Sequence, residues 1–278
     1  MRSKLKLSEV IRYTLLVLGT VTVFFPLYLT VASSFKTSSE MFSDFFGLPV
    51  ALNWSNYSSV LQAPDYLMAF SNSVIITGVS IGFMMLLLPM SSYAIARRMK
   101  HSKIYNILYF FIVAGIFVPF QVKMLPMVKL MSAMGIMNQF GAILIYLATS
   151  TCEGVFLMVG YLQAIPTDLE EAAYIDGAST NKMFYQIIRP MMAPIISTVV
   201  IKNSLWVWND YFMPSLVLNQ SKAVQTLTLY QYSFKLENST NYTIIFAVVA
   251  LSILPITISY LIFQKKIVSG LMDGAIKG

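Results

Sequence analysis

Residues 73–96 have the sequence SVIITGVSIGFMMLLLPMSSYAIA, which contains no acidic or basic side chain. The hydrocarbon core of a bilayer is about 30 Å thick, and a helix crosses it with about 20 apolar residues. The stretch exceeds that length, and Arg97 and Arg98 follow it directly. It therefore predicts a transmembrane helix.

Similar charge-poor stretches recur along the chain. Only 11% of the residues are charged and 57% are hydrophobic, whereas about a quarter of the residues of a soluble domain are charged. The mean hydropathy is +0.69. This composition predicts an all-α polytopic membrane protein with six transmembrane helices, in which residues 1–278 form a single transmembrane domain. The predicted spans are residues 13–32, 73–96, 104–122, 139–165, 191–218 and 243–263.

The basic residues are distributed unevenly between the predicted loops. With both termini in the cytoplasm, 13 of them lie in inner segments and 5 in outer segments, and Lys202 remains inside a span. The inner residues are Arg2, Lys4, Lys6, Arg12, Arg97, Arg98, Lys100, Lys103, Lys182, Arg189, Lys265, Lys266 and Lys277. The outer residues are Lys36, Lys123, Lys129, Lys222 and Lys235. Because short cytoplasmic loops carry an excess of Lys and Arg, the sequence predicts cytoplasmic termini and a multi-pass protein of the cell membrane.

Several function classes are disfavoured. The net charge is +7, but the basic residues lie in short loops between apolar runs and form no basic–aromatic patch for nucleic acid. Cys152 is the single cysteine, so no internal disulfide can form, and His101 has no neighbouring Cys, Asp or Glu cluster to hold a metal. The sequence contains no phosphate-binding loop and no His-Glu-x-x-His pair. We therefore predict no cofactor and no catalytic residues, and energy that comes from a partner chain or an ion gradient.

Residues 166–179, PTDLEEAAYIDGAS, open the cytoplasmic loop between the fourth and fifth predicted spans. Thr167 and Glu170 have the spacing of a capping box, which predicts a short helix that begins there. Gly177 is placed to end this helix in a left-handed conformation. A second helix is predicted from Ser179 or Thr180 until Pro190 stops it. From the residues alone, the loop is either a rigid contact for a cytoplasmic partner or an inert connection.

The loop resembles the EAA signature of the permease subunits of ABC importers. The resemblance implies a type I ABC importer permease fold, in which a coupling loop at about residues 166–190 contacts the ATP-hydrolysing subunit. The residues to which it assigns this coupling role are Glu170, Glu171, Ala172, Ala173, Asp176, Gly177, Ala178, Phe184 and Pro190.

Further segments are similar to carbohydrate permeases of the maltose type, in particular to their shorter permease subunit. They include the stretches 34–36, 93–97 and 208–210 and the tail from Gln264 that ends in Gly-Ala-Ile-Lys-Gly. The resemblance implies the function of a sugar-importer permease that forms half of a translocation pathway. It also implies four kinds of partner: the lipid bilayer, a second homologous permease, two ATP-hydrolysing subunits and an extracytoplasmic sugar-binding protein.

Three ionisable residues fall within predicted spans, namely Glu153, Lys202 and Asp210. Each is costly at membrane depth, so each is expected to face protein or water. We predict that Glu153 and Lys202 pair or share a hydrated cavity. Lys202, Trp206, Asn209 and Asp210 recur on one helical face, which either lines a sugar path or bonds neighbouring helices. For Asp210 we favour the helix–helix role.

Two other functions compete with the sugar permease. One is an ABC permease for another solute, such as an amino acid or a polyamine. The other is a secondary transporter that uses an ion gradient through Glu153 and Lys202. The chain lacks the inverted pair of broken spans that often marks secondary transporters.

Overall fold

The structure of the protein is a computed structural model that describes residues 7–218, 220–237 and 241–275. Within these ranges every regular element is helical. The first seven α-helices are α1 (Leu7–Ser34), α2 (Ser38–Ser43), α3 (Ser55–Leu61), α4 (Pro64–Arg98), α5 (Lys103–Ala114), α6 (Phe120–Ala133) and α7 (Gln139–Gln163). The next are α8 (Asp168–Ile175), α9 (Thr180–Met183), a π-helix (Phe184–Ile188), α10 (Arg189–Met191) and α11 (Ala193–Asn209). The last are α12 (Phe212–Val217), a 3₁₀ turn (Lys222–Val224), α13 (Leu227–Glu237) and α14 (Tyr242–Ala275).

Four helices in the described ranges are long and apolar enough to cross a membrane. They are Ser8–Ser34, Pro64–Arg98, Gln139–Gln163 and Tyr242–Ser259. A fifth candidate is the pair Thr180–Met191 and Ala193–Asn209, which bends by 72° at Met192. The predicted all-α, multi-pass class is therefore confirmed. Arg2, Lys4, Lys6, residues 276–278 and the side chains of Lys265 and Lys266, which entered the predictions, lie outside the described part of the chain.

The predicted span at 104–122 is not one continuous helix. Its apolar residues form α5, which has 12 residues, and α6 begins only at Phe120. A 12-residue helix is about 18 Å long and falls short of the hydrocarbon core. α5 ends at Ala114 with Gly115 as its C-cap, and Pro119 is the N-cap of α6. Because Pro119 lacks a backbone N–H and disfavours a helical conformation at the residue before it, α6 does not extend back towards α5. The predicted span at 191–218 is also interrupted, since Asp210 ends α11 with an extended backbone (ψ 128°).

The chain divides into two compact units. The first comprises the described residues up to Leu67 together with Tyr230–Pro255. In this unit Lys36 is buried, and its Nζ donates to the carbonyl oxygens of Asp44 (2.5 Å) and Phe45 (3.0 Å). The Asn56 side chain donates to the carbonyl oxygens of Ser34 and Lys36. These bonds hold the segment after α1 against α3.

A capping box begins α2 in the first unit. Thr37 Oγ1 accepts from the backbone N–H of Glu40, and the Glu40 carboxylate accepts from the backbone N–H of Thr37 at 2.8 Å. The bond from the Thr37 backbone lowers the pKa of Glu40 below its ordinary value. This is the pattern that the sequence predicted for residues 167–170, where the structure does not show it.

The second unit contains Met68–Leu229 and the described residues from Ile256. Its core lies where α4, α7 and the helical segments after Ser179 pack together. The largest fully buried side chains there include Met84, Leu88, Tyr146, Met158, Leu162, Ile188 and Met192. Gly154 of α7 allows a close approach, because a Cβ at this position would lie 2.7 Å from Leu88 Cδ1 of α4.

Candidate functional site

The first helix of the 166–190 loop begins where the sequence places it, but not with the predicted cap. Thr167 has a helical backbone (φ −72°, ψ −20°), and its side chain makes no capping bond to α8. The predicted Thr167–Glu170 capping box is therefore wrong. The Glu170 carboxylate is instead taken up by groups of α4, with which it makes stronger, charge-assisted bonds.

Glu170 joins the loop to the end of α4. Its Oε1 lies 2.6 Å from Arg97 Nε, and its Oε2 accepts from the Tyr93 hydroxyl at 2.7 Å. Both members of the ion pair are largely shielded from solvent. Arg97 also donates to the carbonyl oxygens of Leu162 (3.0 Å) and Ile165 (3.3 Å), where α7 ends. One guanidinium therefore connects α4, the end of α7 and α8, and it places a positive charge on carbonyl groups at the C-terminus of a helix.

The turn between the two loop helices has the predicted left-handed glycine. Gly177 has φ +75°, a value that residues with a Cβ rarely adopt. Ala178, which is half-buried, donates its backbone N–H to the carbonyl oxygen of Ala173, and Gly177 donates to Tyr174. This pattern closes the C-terminus of α8. Ser179 then caps the next helix by accepting from the backbone N–H of Lys182 at 3.3 Å.

The second loop helix ends at Met191, one residue after the Pro190 at which the sequence predicted its end. Helical turns continue to Met191, and the sharp bend lies at Met192. The π-helix accommodates Pro190 within the helical segment. Its extra residue per turn changes the hydrogen-bond pattern just before the proline, and the backbone N–H of Arg189 donates to the carbonyl oxygen of Phe184. Phe184 is buried, and its ring centroid lies 5.3 Å from that of Tyr93, while Pro190 is exposed.

One side of α8 remains uncovered. Its exposed residues include Glu171, Ala172 and the following Asp176, whereas Ala173 is buried against the unit. Tyr174 is 76% exposed and Ile175 is 84% exposed. Large apolar side chains that project so far from a rigid helix are typical of an interaction surface. We call the exposed residues of 169–177 the loop tip.

Glu153 and Lys202 form an ion pair between α7 and α11, as predicted. Lys202 Nζ donates to Glu153 Oε2, and about half of each side chain is exposed (52% and 45%). Each residue lies well inside an apolar helix. The pair is therefore accessible on one side of the second unit.

The predicted polar face of the fifth span is divided by the end of α11. Asp210 lies beyond the helix, where its Oδ2 accepts from the Tyr146 hydroxyl at 2.9 Å and its Oδ1 accepts from Phe212 N–H. Trp206 is half-buried and packs edge-on against the Tyr146 ring at 5.3 Å. Asn209 is exposed and donates to the Leu205 carbonyl of its own helix. Asp210 and Trp206 thus contact Tyr146, while Lys202 contacts Glu153, and the four residues do not form one face.

Several residues of this site were not found from the sequence. Arg97 and Tyr93 entered only through the family resemblance and a basic-residue count, although they anchor the loop. Ser150 donates to Asn203 Oδ1 at 2.8 Å, between the two other polar contacts of α7 and α11. A sequence signal existed for α7, because Tyr146, Ser150 and Glu153 follow the i, i+4, i+7 spacing of one helical face.

The chain matches a known protein family over residues 78–272, which is more than half of its length. The family is the binding-protein-dependent transport system inner membrane component. This chain belongs to that family. The permease is accordingly a transport component of the membrane, and the prediction that it is not an enzyme is confirmed. The membership also favours an importer permease over an ion-driven secondary transporter.

Curated relatives align with nearly the whole permease. The multiple sugar-binding transport system permease protein MsmG of Streptococcus mutans is 40% identical over 278 residues, which is 100% of both chains. The probable starch degradation products permease AmyC of Thermoanaerobacterium thermosulfurigenes is 34% identical and covers 91% of each chain. The melibiose/raffinose/stachyose import permease MelC of Bacillus subtilis is 31% identical and covers 92% of each chain.

Two solved structures share the fold of the permease. A chain of a bacterial ABC transporter that imports the acidic polysaccharide alginate superposes with a TM-score of 0.80 at 21% identity. The alignment covers 95% of the permease and 99% of that chain. The alginate transporter in complex with an alginate pentasaccharide-bound periplasmic protein gives a TM-score of 0.62 at 13% identity, with 94% and 96% covered. The type I ABC permease fold is therefore confirmed.

Proposed function

We propose that this permease imports carbohydrates across the cell membrane as half of a translocation pathway. Its partners in this proposal are a second homologous permease, two ATP-hydrolysing subunits and an extracytoplasmic sugar-binding protein. The relatives support the substrate class, because MsmG, AmyC and MelC carry names that refer to sugars or starch products and align along at least nine-tenths of the chain. None of these three relatives is named for an amino acid or a polyamine.

The proposed topology has six crossings with both termini in the cytoplasm. Four long apolar helices and the bent pair around Met192 support five crossings. The sixth is assigned to the region of α5, which is apolar but short. The asymmetry of Lys and Arg supports cytoplasmic termini, and it places residues 166–190 on the cytoplasmic side.

The coupling role of the loop rests on one observation. The loop tip exposes Tyr174 and Ile175 almost fully, while the other side of the same helix is fixed to α4 through Glu170 and Arg97. An apolar tip with neighbouring carboxylates, such as Glu171 and Asp176, fits a groove that is apolar at its centre and basic at its rim. We assign this groove to the ATP-hydrolysing subunit.

The contacts that fix α8 to α4 allow the loop to transmit a force. A force on the loop tip acts on a helix that shares Arg97 with the ends of both α4 and α7. If the loop moved independently of the membrane helices, a movement of the ATP-hydrolysing subunit would not reach them. The ion pair and the two hydrogen bonds of Arg97 transmit that movement to the membrane helices. Nucleotide-dependent movement of the ATP-hydrolysing subunit thereby reaches the translocation pathway.

We assign the exposed Glu153–Lys202 side of α7 and α11 to the translocation pathway. A lone charge at the middle of a membrane helix costs about 2.5–3.5 kcal/mol on insertion scales, so a half-exposed pair facing lipid is unfavourable. Water and sugar hydroxyls in the pathway satisfy the remaining donors and acceptors. Asn209 and the edge of Trp206 extend this side, while Asp210 serves helix packing.

The experiment is reconstitution of the complete transporter in proteoliposomes with its sugar-binding protein. We expect ATP-dependent uptake of a labelled neutral oligosaccharide and no ATP hydrolysis by the permease alone. For the loop, a cysteine at Ile175 in a Cys152→Ser background is coupled to a photoactivated cross-linker. Cross-links to the ATP-hydrolysing subunit are expected from position 175 and not from a matched cysteine at Ser39. Uptake that follows an ion gradient without ATP, or equal cross-linking from both positions, contradicts the proposal.

A further inference from the structure

Three polar contacts form a ladder between α7 and the segment from α11 to Asp210. Tyr146 bonds Asp210, Ser150 bonds Asn203, and Glu153 bonds Lys202. Asn203 also donates to the Val199 carbonyl of its own helix at 2.8 Å, which fixes the orientation of its amide. The ladder follows one face of α7, because Tyr146, Ser150 and Glu153 are spaced by about one helical turn.

The ladder changes from buried to accessible along its length. Tyr146 and Ser150 are fully buried, and Asn203 and Asp210 are nearly so. At the other end, about half of the Glu153 and Lys202 side chains are exposed. The two buried contacts already join α7 to the segment from α11 to Asp210, independently of the exposed pair. An exposed pair of opposite charges on two apolar helices therefore requires a different explanation.

Glu153 and Lys202 are also the only charged residues on these two helices. The remaining positions of α7 and α11 are apolar or uncharged polar residues. Asp210, the nearest other acidic residue along the chain, is buried and bonded to the Tyr146 hydroxyl and a backbone N–H. The accessible side of the two helices consequently carries one positive and one negative charge in direct contact, with a net charge of zero.

We propose that the Glu153–Lys202 pair is a specificity element that makes the translocation pathway selective for uncharged carbohydrates. The inference rests on the proposed function, and it adds the charge class of the substrate and the residues that set it. Opposite charges in contact cancel at a distance, so the pair attracts neither anions nor cations. At close range it still offers a carboxylate acceptor and ammonium donors to sugar hydroxyls.

Loss of either partner converts this side of the pathway into a charged one. With Glu153 neutralised, Lys202 leaves a positive site that favours acidic solutes, and with Lys202 neutralised, Glu153 leaves a negative site that disfavours them. In a narrow pathway with low-dielectric walls a single charge acts strongly on solutes, as it does in ion-selective pores. If the pair only stabilised helix packing, neutralising one partner would not change the preference of the pathway for anionic or cationic solutes.

The test measures local charge with small thiol reagents in the assembled transporter. A reporter cysteine replaces Phe156, which is exposed one turn beyond Glu153 on α7, in a Cys152→Ser background. Its reaction rates with an anionic and a cationic methanethiosulfonate of similar size are measured in four backgrounds: the native pair, Glu153→Gln, Lys202→Met, and both together. Only the assembled fraction after gel filtration is used, and a cysteine at Asn209 serves as a second reporter if the first variant does not assemble.

We expect the ratio of anionic to cationic rates to rise roughly tenfold in Glu153→Gln and to fall roughly tenfold in Lys202→Met. It should return to the native ratio in the double variant. If neither reporter reacts with the water-soluble reagents in any nucleotide state, the pair does not face the pathway and the inference is wrong. Ratios that stay the same in all four backgrounds also overturn it. Uptake of a neutral oligosaccharide by the native transporter is measured separately, so failure of the proposed function is distinguished from failure of this inference.

Discussion

Arg97 Nε lies 2.6 Å from Oε1 of Glu170, and this contact connects the end of the second long helix of the permease with the first helix of its cytoplasmic loop. The two residues are separated by 73 positions in the sequence. Both side chains are largely shielded from solvent, and Tyr93 and two backbone carbonyls complete their hydrogen bonds. The loop is thus part of the packed second unit rather than a free connection.

Neutralising Glu170 is expected to loosen the loop. Glu170→Gln leaves the Arg97 guanidinium with a weaker acceptor in a shielded position, and we expect a loss of about 1–3 kcal/mol of stability. Thermal unfolding in detergent and ATP-driven uptake should both decline. Glu171→Gln is the matched control, because Glu171 is exposed on the same helix, and its stability should not change. Equal stability of the two variants contradicts the anchor.

The left-handed turn at Gly177 gives a second prediction. Gly177→Val forces a β-branched residue into φ +75° and should cost about 1–2 kcal/mol, while Gly177→Asn should be milder because Asn tolerates this conformation. No neighbouring atom lies within 4 Å of a Cβ at this position, so the effect is one of backbone strain and not of a clash. We expect uptake and association with the ATP-hydrolysing subunits to fall in the order native, Asn, Val. Equal activity of the Asn and Val variants would contradict a role for the left-handed backbone at Gly177.

Close packing of α4 and α7 is tested at Gly154. An alanine there places its Cβ 2.7 Å from Leu88 Cδ1, and overpacking in a core typically costs about 1–3 kcal/mol. Gly160→Ala in the same helix is the control, since no atom lies within 4 Å of its Cβ. It should be neutral or slightly stabilising, because Ala favours a helix over Gly. The melting temperatures in detergent should separate the two variants.

The buried end of the polar ladder gives a fourth prediction. Tyr146→Phe removes the hydroxyl that donates to Asp210, and Asp210→Ala removes the acceptor of both Tyr146 and Phe212 N–H. We expect Asp210→Ala to be the more damaging, and Asp210→Asn to be milder because its amide oxygen still accepts. A double-mutant cycle of Tyr146→Phe and Asp210→Ala should show a coupling of about 1 kcal/mol in unfolding free energy. Simple additivity would mean that the hydrogen bond contributes nothing to stability.

The proposed topology is tested by labelling with an impermeant maleimide in a Cys152→Ser background. A cysteine at Ser39, in the segment after α1, should react in intact cells. A cysteine at Ser179, at the cap of the second loop helix, should react only after permeabilisation. Both positions are exposed, so access to the reagent depends on the side of the membrane. Reaction of both from the same side contradicts six crossings with cytoplasmic termini.

Local signals in the sequence predicted local features well. The uncharged run at 73–96 identified the middle of α4, and the spacing of Gly177 and Ser179 identified the turn and the cap between the two loop helices. The Glu153–Lys202 contact could also be predicted from the sequence, because counting residues along two antiparallel spans places both charges at similar depths. Each of these features could be predicted from the residues of a single helix, or from the depth of a residue along its helix in the membrane.

The missing capping box has a clear physical cause, which is competition from a group distant in sequence. Thr167 and Glu170 have the spacing of a capping box, but the Arg97 guanidinium binds the carboxylate more strongly than a backbone N–H does. The predicted third span is divided between Ala114 and Phe120, with Pro119 as the N-cap of α6, and the second loop helix runs one residue past Pro190. The two prolines thus differ in effect: Pro119 precedes the start of a helix, whereas a π-helix accommodates Pro190 within one.

The Glu153–Lys202 contact also imposes an order on biosynthesis. Lys202 follows Glu153 by 49 residues, so the ribosome delivers the carboxylate long before its cation. When α7 enters the insertion machinery, Glu153 has no partner, and immediate release into lipid would leave it as an isolated charge. Retention of α7 in the wet channel until α11 arrives avoids that state. The two helices are therefore expected to leave the translocon together. They form a hairpin of the nascent chain whose two helices cannot be inserted independently.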